Sequence, residues 1–319
     1  MKFQNTCLLL SAFAVTAPVA ALRAAEFQIT DAVEFARCVP TGAKIEKLAG
    51  DMNFIEGPVW IKAGGYLVFS DIPKNELMQW SAASGVKTYR SPSQNANGNT
   101  LDLTGRLVTC EHSGRRVAIQ EKDGTVPTLV DSFEGKKFNS PNDVVAKSDG
   151  TLYFTDPDYG LKNNPTTKQK EGREQAGNFV YRHEPKTGRT TALVRDFVQP
   201  NGLAFSPDEK VLYIADSGAP KHIRRFAVGV DGSLTGGEVF CKIDVGGPDG
   251  IRVDQAGRVW SSAGDGVQIF SPAGKLLGKI LVPESPANLC FGGADGKTLF
   301  MTARKSLYAI KVSVTGAAR

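Results

Sequence analysis

The chain has 319 residues and a formal net charge of +5, with 38 basic side chains against 33 acidic ones. Bases that are this few and this dispersed exclude a nucleic-acid-binding reading. At 41% hydrophobic residues, the chain has enough apolar material for a packed core.

The first element is not part of the fold. Lys2 precedes an apolar run, Cys7 to Val15, and then an alanine-rich stretch ending at Ala24-Ala25. A positive start, a short apolar core and small residues at the end predict a secretory signal over residues 1–25. Pro18 and Arg23 cut the run too short for a membrane span. The cut site is left open between Val19-Ala20-Ala21 and Arg23-Ala24-Ala25. Cleavage removes Lys2 and Arg23 and no acid, so the mature chain is only mildly basic. It would leave residues 26–319 as one domain, with no membrane attachment and a periplasmic location. Cys38, Cys110, Cys241 and Cys290 then remain. An oxidising compartment permits disulfides, but Cys110 and Cys290 stand in apolar strand patterns and read as buried thiols. No sequence feature marks an oligomeric state.

From residue 56 onward one pattern recurs six times. Glu56-Gly57, Asn97-Gly98, Asn142-Asp143, Asn201-Gly202, Asp249-Gly250 and Asn288 each stand 10 or 11 positions before an apolar residue. Those residues are Leu67, Leu107, Leu152, Leu212, Val259 and Leu299, which lie in short strand-like runs. The runs open at Gly65, Gly105, Gly150, Lys210, Gly257 and Lys297, at intervals in the forties apart from one of 60. No sustained helical stripe is present, and turn residues punctuate the runs. A period in the forties with several short strands per unit predicts an all-β, six-bladed β-propeller with about four antiparallel strands per blade. The start of each inner strand and the end of the next strand must then share one face of the disc. Asn201 shares it with Asp216, Asn142 with Asp156, and Asn97 with Glu111 and His112. Six oxygen-bearing side chains around one axis suit a hard cation.

The 60-residue interval contains an insertion. Pro157-Asp158-Tyr159-Gly160 leads into a polar stretch, Leu161 to Gly177, before strand pattern resumes at Asn178. The insertion leaves the second strand of the third blade, so it emerges at the same mouth and is expected to act as a lid.

Five segments carry a family resemblance. They are Glu56-Gly57-Pro58-Val59-Trp60, Ser140-Pro141-Asn142-Asp143, Phe154-Thr155-Asp156-Pro157, Pro200-Asn201-Gly202-Leu203-Ala204-Phe205 and Pro248-Asp249-Gly250-Ile251. Each alone is ordinary turn chemistry. In this order and in phase with the blades, they resemble the senescence-marker-protein/gluconolactonase family, related to paraoxonases and diisopropylfluorophosphatase. The resemblance implies one divalent cation on Glu56, Asn142, Asn201 and Asp249, most often Ca2+. The oxygen-only set suits Ca2+ or Mg2+, with Mn2+ and Zn2+ left open. It also implies hydrolysis of a small-molecule lactone, with Asp249 as catalytic base or nucleophile. Asn97, His112, Asp156, Tyr159 and Asp216 are the expected substrate-binding residues. The alternatives are an esterase or phosphotriesterase on the same site, or a non-enzymatic propeller with a structural metal. No G-x-S-x-G elbow is present to support a serine hydrolase.

Overall fold

The computed structural model describes Met1 and residues 26–163 and 170–317. The expected signal segment lies almost wholly outside the described residues. The chain begins with β1 (Phe27–Ile29), α1 (Ala32–Cys38) and β2 (Glu46–Ala49). The first blade follows as β3 (Ile55–Ile61), β4 (Tyr66–Asp71), β5 (Glu76–Ser81) and β6 (Gly85–Arg90). The second is β7 (Ala96–Leu101), β8 (Leu107–Glu111), β9 (Arg116–Ile119) and β10 (Thr128–Val130). A small hairpin, β11 (Ser132–Phe133) and β12 (Lys136–Lys137), separates it from the third. The third blade is β13 (Val144–Ala146), β14 (Leu152–Asp156), β15 (Asn178–Glu184) and β16 (Arg189–Phe197). The fourth is β17 (Pro200–Phe205), β18 (Val211–Asp216), β19 (His222–Val228) and β20 (Leu234–Lys242). The fifth is β21 (Ile251–Val253), β22 (Val259–Ala263), β23 (Gly266–Phe270) and β24 (Leu276–Leu281). The sixth contributes β25 (Pro286–Gly292), β26 (Thr298–Ala303) and β27 (Ser306–Lys311).

Each blade is an antiparallel meander whose first strand is innermost. The six blades expected from the repeat are therefore present, but their completion differs from the expectation in two places. The sixth blade takes its outer strand from β2, with Lys47 opposite Tyr308. The fifth gains an extra outer strand, β1, with Gln28 opposite Lys279. The N-terminal segment thus closes the ring. Trp60 of the first blade stacks on Phe300 of the sixth at 5.4 Å across the same seam. Apolar side chains fill the wedges between neighbouring blades. Phe138, Phe154 and Tyr181 are one such cluster, within 5.3 Å of one another between ring centroids.

The helix α1 is the other unforeseen element. Asp31 caps it by accepting the Glu34 N–H at 3.2 Å, and Phe35 and Cys38 form its buried face. Those two pack with Trp260, Val267 and Ile280 against the fifth blade. All four described cysteines are buried and free, as expected for Cys110 and Cys290.

Phe35 is the plug that seats the N-terminal segment on the fifth blade. Phe35→Ala should lower unfolding free energy by about 3 kcal/mol or more, read as a lower denaturant midpoint at constant m. Val33, 67% exposed on the same helix, should tolerate Ala within about 0.5 kcal/mol.

Candidate metal centre at the propeller mouth

The innermost strands bring the six repeat residues to one end of the axis. Glu56, Asn97, Asn201 and Asn288 stand at the second or third position of β3, β7, β17 and β25, and Asn142 and Asp249 stand just ahead of β13 and β21. Neighbouring inner strands touch through backbone. The Gly98 N–H donates to Asn142 O at 2.7 Å, Gly202 N–H to Asp249 O at 3.1 Å, and Gly250 N–H to Ala287 O at 2.8 Å. Second-strand hydroxyls reinforce the same seams. Ser70 donates to Asn97 O at 2.6 Å, Thr155 to Asn201 O at 2.8 Å and Ser262 to Ala287 O at 2.8 Å. The glycines that follow the ring residues therefore serve close approach. A Cβ on Gly57 would lie 2.0 Å from Asn97 O, and one on Gly202 would lie 2.3 Å from Asp249 O.

Inside this ring the polar atoms are short of partners. Glu56, Asn97, Asn142, Asn201 and Asn288 are buried, while Asp249 is half-buried. The Oδ1 atoms of Asn97, Asn201 and Asp249 are buried without a hydrogen-bond partner. Glu56 accepts its neighbour's backbone N–H, at 2.9 Å to Gly57, and a side-chain hydrogen bond from Asn288. Burial pushes the Glu56 carboxyl well above the usual carboxylate range, and the nearby Asp249 carboxylate adds to the shift. Burial raises Asp249 too, with Asp143 as the next cause. A buried and a half-buried acid that repel each other, beside amide oxygens with nothing to accept, form a site short of positive charge. That donor set fits a hard divalent cation. Among the described residues no three His, Cys, Asp or Glu side chains form a metal-ligating group, so a cation there needs the amides as well. Asn288 is the least suited of the six. Its Oδ1 takes the Leu289 N–H at 2.8 Å, and its Nδ2 faces Asp143 Oδ2 at 3.4 Å.

The expected substrate-binding residues divide into two groups. Asp156 and Asp216 are engaged with backbone N–H groups. Asp156 is fully buried and accepts the Asn139 and Ser140 N–H groups, both at 2.8 Å. Asp216 accepts those of Val198 at 3.0 Å, Gln199 at 2.9 Å and Gly218 at 3.0 Å. Asp71 does the same for Asn53 and Phe54. These carboxylates anchor the chain entering the inner strands of the first, third and fourth blades. Glu111, at the same position in the second blade, pairs instead with Arg90 at 2.9 Å and Arg116 at 2.6 Å.

Asn97, His112 and Tyr159 stay at the mouth. His112 Nε2 lies 3.2 Å from Asn97 Nδ2, which places the ring lone pair toward the amide. Burial pulls the imidazole down to about 4, so the ring is neutral near pH 7. Tyr159 is 44% exposed.

The insertion expected as a lid lies partly outside the described residues, at 164–169. Its two ends are fixed at the mouth. Arg173 Nη1 reaches Asp158 Oδ2 at 3.1 Å, and Gln199 Nε2 holds Asp158 Oδ1 at 2.9 Å. Gln175 Nε2 donates to Lys136 O on the β11–β12 hairpin at 2.9 Å. Gly160 fits against Ser140 and His112, where a Cβ would fall 2.7 and 2.8 Å from their Cβ atoms. A cavity of about 320 Å³ opens between His112, Ser113 and Arg115 on one side and Leu161, Lys162 and Gly172 on the other.

The sequence matches a family described as the SMP-30/gluconolactonase/LRE-like region over residues 54–305. A gluconolactonase of Zymomonas mobilis is 35% identical over 298 residues, spanning 85% of this chain and 82% of its own. A crystal structure of a putative gluconolactonase superposes with a TM-score of 0.84 at 38% identity, covering 92% of this chain and all of the other. A gluconolactonase of Xanthomonas campestris gives the same TM-score at 34% identity, over 90% of this chain and 95% of its own.

The anchoring role of Asp156 separates it from binding. Asp156→Asn replaces one acceptor with an N–H donor facing a backbone N–H. It should cost about 1.5–3 kcal/mol of stability and leave KM within about twofold, measured by denaturant unfolding and steady-state kinetics on the same preparation.

Proposed function

The chain belongs to the SMP-30/gluconolactonase/LRE-like family, and we propose that it opens a sugar-acid lactone to its hydroxy acid with one Ca2+ ion held at the propeller mouth. It is a hydrolase of carboxylic ester bonds, as its gluconolactonase relatives at 34–35% identity support. One observation carries the metal reading. A buried carboxylate, Glu56, and a half-buried one, Asp249, share the mouth with amide and carboxylate Oδ1 atoms that have no hydrogen-bond partner. Glu56, Asn142, Asn201 and Asp249 would hold the ion, with Asn97 Oδ1 beside them. The secretory reading of residues 1–25 adds a periplasmic location to the proposal.

A divalent cation bound there supplies Lewis-acid polarisation of the lactone carbonyl. The chain's own residues do the rest. Asp249 is the most exposed of the six ring residues, so its carboxylate can meet a water molecule. That carboxylate takes a proton from the water as the water oxygen bonds to the carbonyl carbon. The acyl C–O bond of the ring then breaks, and the ring oxygen leaves as the hydroxyl of the product, with that proton. Asn97 and His112 form a neutral, hydrogen-bonded wall beside the carbonyl. The cavity between His112 and Leu161 has room for the hydroxylated remainder of the lactone.

Two outcomes test this reading. A chelator should abolish lactone opening, followed by pH-stat titration of the acid released, and Ca2+ should restore it. Unchanged rates after exhaustive chelation would falsify the metal. Asp249→Asn in saturating Ca2+ should keep its circular dichroism and lose about 10²–10⁴ in kcat, the range for a lost general base. A kcat within a few-fold of the parent would reduce Asp249 to a ligand.

A further inference from the structure

In four of the six repeats the ring residue is followed by glycine: Gly57, Gly98, Gly202 and Gly250. The third repeat departs from this pattern with Asn142-Asp143. Asp143 is fully buried. Its Oδ2 lies 3.4 Å from Asn288 Nδ2 of the sixth blade, on the opposite side of the ring, and 3.7 Å from Arg252 Nη1 of the fifth. A side chain met from both blades must reach the propeller axis. Its Oδ1 accepts the Val144 N–H at 2.9 Å. Neighbouring glycines leave the space for this. A Cβ on Gly98 would fall 2.5 Å from Asp143 Oδ1, and one on Gly250 would fall 2.1 Å from Asn288 Oδ1.

Arg252 lies three residues beyond Asp249, within β21, with its side chain 17% exposed. It also donates to Ile251 O at 2.7 Å. A guanidinium this enclosed is costly to bury unless it is paired. Nothing in lactone opening at the mouth requires it. The Asp143 charge likewise acts on Glu56 and Asp249, raising the charge density of a site that already holds two acids.

We infer that Asp143 and Arg252 are a counter-ion pair on the propeller axis that sets the net charge felt by a cation bound at Glu56, Asn142, Asn201 and Asp249. Asp143 adds a third negative charge behind the site. Arg252 cancels it in part, and Asn288 holds the carboxylate in register. Both charged residues are positioning residues, and neither touches substrate. The inference rests on the cation reading of the mouth.

Calorimetric titration of Ca2+ into the purified chain, at fixed pH and ionic strength, tests it. Asp143→Asn should weaken binding by about tenfold or more, within the roughly 10–100-fold range of outer-shell partners. Arg252→Gln leaves Asp143 uncancelled and should tighten binding by about three- to tenfold. Opposite signs are the signature of charge, because damaged packing would weaken both. Arg252→Lys keeps the charge and should stay within about twofold of the parent. It also answers the question if the Gln variant fails to fold. Binding that both Asp143→Asn and Arg252→Gln weaken, or that neither changes, overturns the inference and leaves the cation reading intact. A Lys variant that departs from the parent overturns it as well. A parent chain that binds no Ca2+ overturns both.

Discussion

The rest of the structure depends on how closely six inner strands approach one axis. Blades that diverge outward leave space for aromatic side chains, and the Phe138, Phe154 and Tyr181 cluster fills one such wedge. Toward the axis the strands converge until backbone meets backbone. Gly98 N–H then bonds to Asn142 O, and Gly202 N–H to Asp249 O. Only glycine fits at those contacts. The backbone carbonyls there are shared between adjacent blades through Ser70, Thr155 and Ser262. The polar residue before each contact has no room to turn outward. Closing the ring and gathering oxygen ligands are therefore one geometric event.

That geometry creates an electrostatic debt. Glu56, Asp143 and Asp249 are drawn together where water is scarce, and burial raises the proton affinity of all three. A protein can meet such a cost by protonation, by pairing or by binding a cation. Asp143 takes the second course, through Arg252 and Asn288. Arg304 offsets part of the Asp249 charge, but Glu56 and Asp249 still repel each other and are the ones left for the third. A ligand that binds only the folded ring adds its binding free energy to folding, about 2.7 kcal/mol at a hundred times Kd. The same interaction that prepares the site for chemistry would then stabilise the closed propeller.

Much of this was legible in the sequence, for a physical reason. Inner strands are packed on both faces, so their residues are constrained and the repeat survives in them. The phase of Glu56, Asn97, Asn142, Asn201, Asp249 and Asn288 therefore gave the blade count and the shared mouth. Outer strands face solvent on one side and carry weaker patterns. β1 has three residues and β2 four, mostly exposed or half-buried, and neither shows alternation long enough to read. α1, at seven residues, is too short for a helical stripe. The anchoring role of Asp156 and Asp216 was hidden for another reason. A carboxylate at a mouth looks the same in sequence whether it meets substrate or backbone N–H groups, and only the loop in front of the strand decides. Asp143 did leave a signal. It is the one charged residue in the place where four other repeats have glycine.

The repeat supplies what is common to the ring, and departures from it supply what is particular to the site. The second and third blades carry the irregular segments, the β11–β12 hairpin and the insertion after Asp156. These two segments bind each other, with Gln175 of the insertion donating to the hairpin carbonyl at Lys136 and Glu174 accepting the Lys137 N–H. Arg173 and Gln199 fix Asp158 between the third and fourth blades. Tyr159 and Gly160 follow directly, one exposed at the mouth and the other pressed on His112. The wall facing a substrate is thus built from one side of the disc, while the carboxylates and amides come from all around it. A ring that must stay closed cannot vary its inner strands freely, whereas an insertion held by a few side-chain bonds can change shape without loosening a blade. Substrate choice would then be set by the insertion and hairpin, and the polarising charge by the axis.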